Sequence, residues 1–339
     1  MCFRDDFTRY DVISISREIR CLEERVPSLC SYRVSFNCGY SVTCGEKVLN
    51  ARVTYIFISF FIVLIAFSFL YIPRVEWVLA IILSATIYGS VSPLIAARRL
   101  YFLASEVSHI ALFAVTISVA LSRETPLNSE ILWAIIVGLA IVYVVGYAIH
   151  KGFDPDVATS IVVSATASGS VVSMFVVLTR YRVEYSLWSI ILGDPLLTTW
   201  RDIQMLTIIS LVLLITALAI YRVTIYIGID RDTVMLSVKN IYIYEFLFFT
   251  VLGVACIALM RIVGYIVEHI LLLIPALTAI NIVEGSNRVL ALSIYLSIVS
   301  GLLGLILSYW LNIAPASSIG FTALMIYIFS IVLKRVKRL

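Results

Sequence analysis

Ten stretches of this 339-residue chain are apolar over enough consecutive residues to cross a bilayer, and that property removes most folds from consideration. Spans of about 20 residues suit the α-helix, which satisfies its backbone hydrogen bonds within itself, whereas a membrane β-strand needs only about 10. The candidates cover 53–72, 77–97, 107–122, 131–150, 157–179, 205–221, 241–262, 264–283, 289–309 and 319–333. The expected fold is all-α, a polytopic membrane protein with about nine to ten transmembrane helices. Composition agrees: 61% of residues are hydrophobic, 14% are charged and mean hydropathy is +1.04, outside the range of soluble domains.

Charge then orients the spans. Lys334, Arg335, Lys337 and Arg338 flank the last one, and cationic flanks mark the cytoplasmic side. With that tail inside, alternation also places Arg98, Arg99, Lys151, the 222–239 stretch and Arg288 inside, and puts both termini in the cytoplasm. The connection 180–204 falls outside despite Arg180, Arg182 and Arg201, and its apolar run 187–192 suggests a short interfacial helix. Two pairs of spans are joined almost without a loop, at 73–76 and at 261–263. The net charge of +4 is scattered through short loops and gives no reason to expect nucleic acid as a partner.

Five of the six cysteines (Cys2, Cys21, Cys30, Cys38 and Cys44) precede the first span, with no CxxC spacing and no histidine among them, so they read as free thiols. No basic-then-apolar signal pattern opens the chain, because Arg4, Asp5, Asp6, Arg9 and Asp11 interrupt it. Residues 1–51 are expected to form a poorly ordered cytoplasmic extension.

Two of the three histidines stand beside a glutamate inside apolar spans: Glu106 with His109, and Glu268 with His269. Ionisable groups are expensive in hydrocarbon, so they face a protein interior or an aqueous path. Imidazole with carboxylate is a ligand set for divalent metals, zinc, manganese and iron alike. Glu106 and His109, three apart, share a helix face and can meet one ion or one water. Glu268 and His269 sit about 100° apart on the helical wheel, so one faces the path while the other meets a neighbouring helix or the outer water layer. The competing reading of both pairs is a hydrogen-bonded cluster that fixes helix packing. His150 ends its span next to Lys151 and reads as an interfacial residue.

The inner stretch 230–239 opens on Asp230, Arg231 and Asp232, includes Met235 and ends on Lys239, the charge order of a short capped helix. It is either a docking helix for a cytoplasmic partner or an ordinary loop helix. No phosphate-binding Gly-x-x-x-x-Gly-Lys-[Ser/Thr] loop occurs, so any ATP hydrolysis belongs to another chain, and no metalloprotease or serine-hydrolase motif favours an enzyme. The small residues of 164–170 suit close helix approach.

Several stretches, in order, resemble the permease subunit of the zinc/manganese/iron class of ABC importers. Pro93-Leu94-Ile95-Ala96-Ala97-Arg98-Arg99-Leu100-Tyr101-Phe102-Leu103 leading to His109 is similar to that family's first helix, Arg-rich inner turn and helix-two histidine. Asp156 matches an acidic position, Leu192-Gly193-Asp194-Pro195-Leu196-Leu197 followed by Asp202 is similar to an outer segment, and Asp230 opens what looks like the coupling helix. Gly264 followed by Leu272-Leu273-Ile274-Pro275-Ala276-Leu277-Thr278-Ala279 repeats a glycine-to-proline spacing of eleven, and Leu307-Ser308-Tyr309 with Asn312 and Pro315 completes the pattern.

The resemblance runs from Trp77 to the C-terminus, giving residues 76–339 as a metal permease domain and 52–75 as an extra helix. It implies a permease of the vitamin B12 permease-like (type II) kind in the plasma membrane, with no permanent cofactor. Its implied partners are a second copy, a cytoplasmic ATPase that binds ATP, and an extracytoplasmic metal-binding lipoprotein. It also implies a metal pathway through His109, Glu106, Glu268 and, last in rank, His269, with coupling through Asp230, Arg231, Asp232, Met235 and Lys239. Ser105 stands where the family commonly has Asp, with Glu106 beside it; Val234, Val238 and Ala316 replace Ala, Gly and Gly. A permease for a metal chelate or vitamin is the alternative within transport, and an intramembrane metalloenzyme the alternative outside it.

Overall fold

The computed structural model describes residues 59–126, 129–181 and 198–338, and every element among them is an α-helix. Residues 1–51 and the interfacial helix expected at 187–192 lie outside them. In order the helices are α1 (Ser59–Tyr71), α2 (Val75–Arg98), α3 (Tyr101–Glu124), α4 (Glu130–His150), α5 (Pro155–Arg180) and α6 (Trp200–Ile229). They continue with α7 (Arg231–Ser237), α8 (Ile241–Val263), α9 (Tyr265–Ile282), α10 (Ser286–Leu311) and α11 (Pro315–Arg338). Among the described residues nine helices, α2 to α6 and α8 to α11, are long and apolar enough to span a membrane. The tenth expected span is represented by α1, its first residues lying outside the described set.

Most helices outrun the apolar windows that announced them. The window at 205–221 becomes the 30-residue α6, because Arg201, Asp202 and Arg222 end an apolar run without ending a helix. Thr199 and Asp202 form a reciprocal capping box at its start. At 1.5 Å per residue α6 is about 45 Å long, more than the roughly 30 Å hydrocarbon core.

Helix α2 is the centre of the bundle. From Ile87 to Ile95 every residue is buried, on all sides of the helix, as expected of an element surrounded by other helices. It packs on α6, α9 and α10, while α3 packs on α4, α5, α8 and α9. Outer faces keep Ile161, Val171 and Phe175 of α5 and Ile208, Leu211 and Ile215 of α6 exposed, an apolar surface suited to lipid rather than water. Helix α1 lies along α10, with Phe61 against Tyr295 at 5.4 Å and Tyr71 against Trp310 at 5.8 Å between ring centroids.

Three details fix the geometry near the candidate site. The α2–α3 connection is only Arg99 and Leu100, with Arg99 left-handed at φ 55° and its N–H returned to the Ala96 carbonyl. The α8–α9 connection is the single residue Gly264, at φ 86° and ψ 161°, a conformation that a side chain resists. Pro275 lies inside α9, and the neighbouring Ala276 N–H donates to Ser92 Oγ of α2 at 3.2 Å. A proline is thereby accommodated inside an apolar bundle by a hydroxyl from the next helix.

Candidate functional site

The second turn of α3 faces the first turns of α9, and every membrane-embedded Glu and His singled out in the sequence lies at this contact. His109 Nε2 stands 4.0 Å from Glu106 Oε2 on its own helix and 2.9 Å from the Tyr265 hydroxyl of α9. His269 Nε2 is 2.7 Å from Ser105 Oγ of α3. The two imidazoles face each other edge-on, with centroids 6.3 Å apart, and the Tyr265 ring lies 5.3 Å from one and 5.0 Å from the other. The spacing of Tyr265 and His269, four apart after the Gly264 turn, puts them on one helix face. That spacing was the available signal for Tyr265, which sequence reasoning passed over.

Glu268 points elsewhere. It is fully buried, accepts a 2.9 Å hydrogen bond from Ser108 Oγ, and has the buried Cys256 thiol of α8 against it. The wheel argument therefore resolves with Glu268 meeting neighbouring helices and His269 meeting His109. Ser105, which occupies the position of an expected carboxylate, serves as a hydroxyl partner for His269.

Two polar atoms beside the imidazoles are buried without a hydrogen-bond partner, Glu106 Oε2 and His269 Nδ1, and Glu268 Oε2 is a third on the Ser108 and Cys256 side. Buried polar atoms are ordinarily satisfied, so the two orphans beside the imidazoles retain bonding capacity that a hydrogen-bonding or cationic guest can use. Among the described residues no three His, Cys, Asp or Glu side chains converge as a closed metal site would require. The chemistry available is loose, two-point contact by nitrogen and carboxylate oxygen, with the Tyr265 and Ser105 hydroxyls able to take the imidazoles back.

The second set of predicted residues lies on and beside α7: Asp230 before it, Arg231, Asp232 and Met235 within it, and Lys239 after it. Asp230 caps it, accepting from the N–H groups of Asp232 and Thr233 at 3.1 and 3.2 Å and from the Thr233 hydroxyl at 2.5 Å. These bonds, the hydroxyl first, hold the Asp230 carboxyl below its ordinary range. The charged cap is therefore intact at neutral pH and is lost only as pH falls through that lowered value. Asp232, Met235 and Lys239 are exposed, and Leu236, not singled out from sequence, is 91% exposed. Arg231 turns away from this surface toward Glu245 of α8, and that carboxylate pushes its guanidinium further up.

The sequence model of the ABC 3 transport family matches residues 52–334. The chain is 24% identical over 242 residues to the manganese import system permease protein ScaB of Streptococcus parasanguinis, covering 71% of this chain and 84% of that one. It is 23% identical over 234 residues to the high-affinity zinc uptake system membrane protein ZnuB of Haemophilus influenzae, covering 69% and 87%. Among solved structures, that of PsaBC from Streptococcus pneumoniae in complex with Fab matches with a TM-score of 0.64 at 22% identity, over 75% of this chain and 89% of that one.

Proposed function

This chain belongs to the ABC 3 transport family, and from that premise we propose that it is the transmembrane permease of an ATP-driven importer of a divalent metal such as zinc or manganese. The observation that carries the reading is the pair of orphaned polar atoms, Glu106 Oε2 and His269 Nδ1, beside the facing His109 and His269 rings. An ion stripped of water needs ligands, yet must leave again, and a loose nitrogen and oxygen set serves both needs. Names of relatives that import manganese or zinc point the same way.

In this reading a second copy completes the path, an extracytoplasmic binding protein delivers the ion, and a cytoplasmic ATPase chain docks on α7. Both termini lie in the cytoplasm. Residues 76–339 form the permease domain, with the 52–75 helix and the 1–51 extension added before it. Reconstituted in liposomes with its ATPase and binding protein, the chain is expected to move radioactive zinc or manganese only when ATP is supplied. Transport of a chelate but not of the bare ion would overturn the substrate assignment.

The docking face rests on Leu236 and Met235, exposed apolar side chains on a helix that bears Asp232 and is followed by Lys239. Burying a leucine contributes about 1.5–3 kcal/mol. Leu236→Asp is expected to weaken co-purification of the ATPase about 10- to 100-fold while the permease stays folded. Pull-down across a range of ATPase concentrations checks this, and unchanged retention would remove α7 as the dock.

A further inference from the structure

Where α7 meets the bundle, four helices converge on one carboxylate that no functional reading has used. Glu245, in the second turn of α8 and 7% exposed, accepts from Arg231 Nε at 2.9 Å on Oε1 and from Arg231 Nη2 at 3.3 Å on Oε2. Arg98, in the last turn of α2, reaches Oε1 at 3.4 Å, its own side chain only 9% exposed and its guanidinium 4.9 Å from the Phe248 ring. His150, the last residue of α4, places Nδ1 3.1 Å from Oε2.

The same His150 Nδ1 is 3.0 Å from Arg231 Nη2. A guanidinium can only donate and a carboxylate can only accept, so this nitrogen serves one partner at a time. When it accepts from Arg231, its bond to Glu245 is released; when it donates to Glu245, it no longer takes the proton of Arg231. The cluster thus has two hydrogen-bonding arrangements, one binding α4 to α7 and the other binding α4 to α8. Two guanidinium groups share one carboxylate, so removal of Glu245 leaves both without their counter-charge.

The connections lead back to the candidate site. Arg98 ends α2, and after the two residues Arg99 and Leu100 α3 starts toward Glu106 and His109. Eleven residues along α8 from Glu245, Cys256 lies against Glu268.

We propose that Glu245 is the positioning residue that joins the docking helix α7 to the ends of α2, α4 and α8, so that ATPase movement reaches the membrane path through the Arg98–Glu245–Arg231–His150 cluster. This rests on the reading of α7 as the ATPase dock.

The test measures metal taken up per ATP hydrolysed by the complete complex in liposomes. Glu245→Gln preserves shape and removes the charge; its uptake per ATP is expected to fall at least about fivefold, the low end of ordinary coupling between sites. Arg231→Gln, altered at the exposed rim of the cluster, should give the same loss even if Glu245→Gln fails to fold. Glu245→Asp, which keeps the charge, should recover part of it. A merely structural role would lower the amount of complex without changing the ratio. Wild-type uptake per ATP in Arg231→Gln, or in a folded Glu245→Gln, overturns the inference. Failure of the wild-type chain to bind or stimulate an ATPase overturns the docking reading itself, so the two failures are distinguishable.

Discussion

Replacing both facing imidazoles, His109→Ala with His269→Ala, is expected to lower metal uptake by at least about 100-fold while the ATPase still co-purifies. Loss of an outer-shell partner alone costs a metal site about 10- to 100-fold, and this variant removes two nitrogens at once. Neither ring is fully enclosed: the His109 side chain is 31% exposed and His269 is half-buried. The alternative, that these residues only hold helices together, makes the opposite forecast. On that view the double variant loses thermal stability in detergent and uptake falls only in proportion to folded protein. Uptake of radioactive zinc or manganese, normalised to folded complex, separates the two. Wild-type uptake per folded complex would remove both histidines from the path. Glu268 is left intact because Ser108 and Cys256 enclose it, so its removal would mix ligand loss with a packing defect.

Gly304→Val is expected to be strongly damaging to the bundle, destabilising it by about 3 kcal/mol or more. A Cβ at Gly304 on α10 would stand 2.4 Å from Ile319 Cα and 2.7 Å from its backbone nitrogen. Backbone cannot rotate out of the way, so α10 and α11 would have to separate. Within a bilayer no hydrophobic gain draws them back, since close packing is itself a main source of helix association there. Gly320→Ala is the fitting comparison, because its Cβ would meet only the Cδ1 tip of Ile270, at 2.5 Å, and that tip can turn aside. Thermal unfolding followed by size-exclusion chromatography should show Gly304→Val lost or strongly lowered and Gly320→Ala much nearer to wild type. Equal melting of the two would mean that α10 and α11 do not cross this tightly.

Much of the scaffold was legible because hydrocarbon imposes a length rule on each span separately. Nine apolar windows became helices, and the near-absence of a loop at 73–76 and at 261–263 survives as the short α1–α2 connection and the single residue Gly264. Helix ends were read short wherever charge ended the apolar run, as at Arg222 in α6. The aspartate-first, lysine-last order of 230–239 announced α7, since capping is a local effect between residues two or three apart.

Partnership between helices was not legible. The sequence placed Glu106 and His109 on one face, but nothing in it said that His269 and Tyr265 would lie opposite. Those contacts join residues 164 and 156 positions apart. Nor could it show that Arg98, His150 and Arg231, all read as cationic or interfacial residues near the cytoplasm, share Glu245. Hydrophobic length and periodicity are properties of one helix in its solvent, and the sequence alone determines them here: how many spans, where, and which residues are too polar for lipid. Which polar face meets which depends on how whole helices pack, through contacts such as the backbone approach at Gly304 and the turn at Gly264. Only the tertiary structure decided that His109 and His269 face each other across α3 and α9 while Glu268 turns to Ser108 and Cys256.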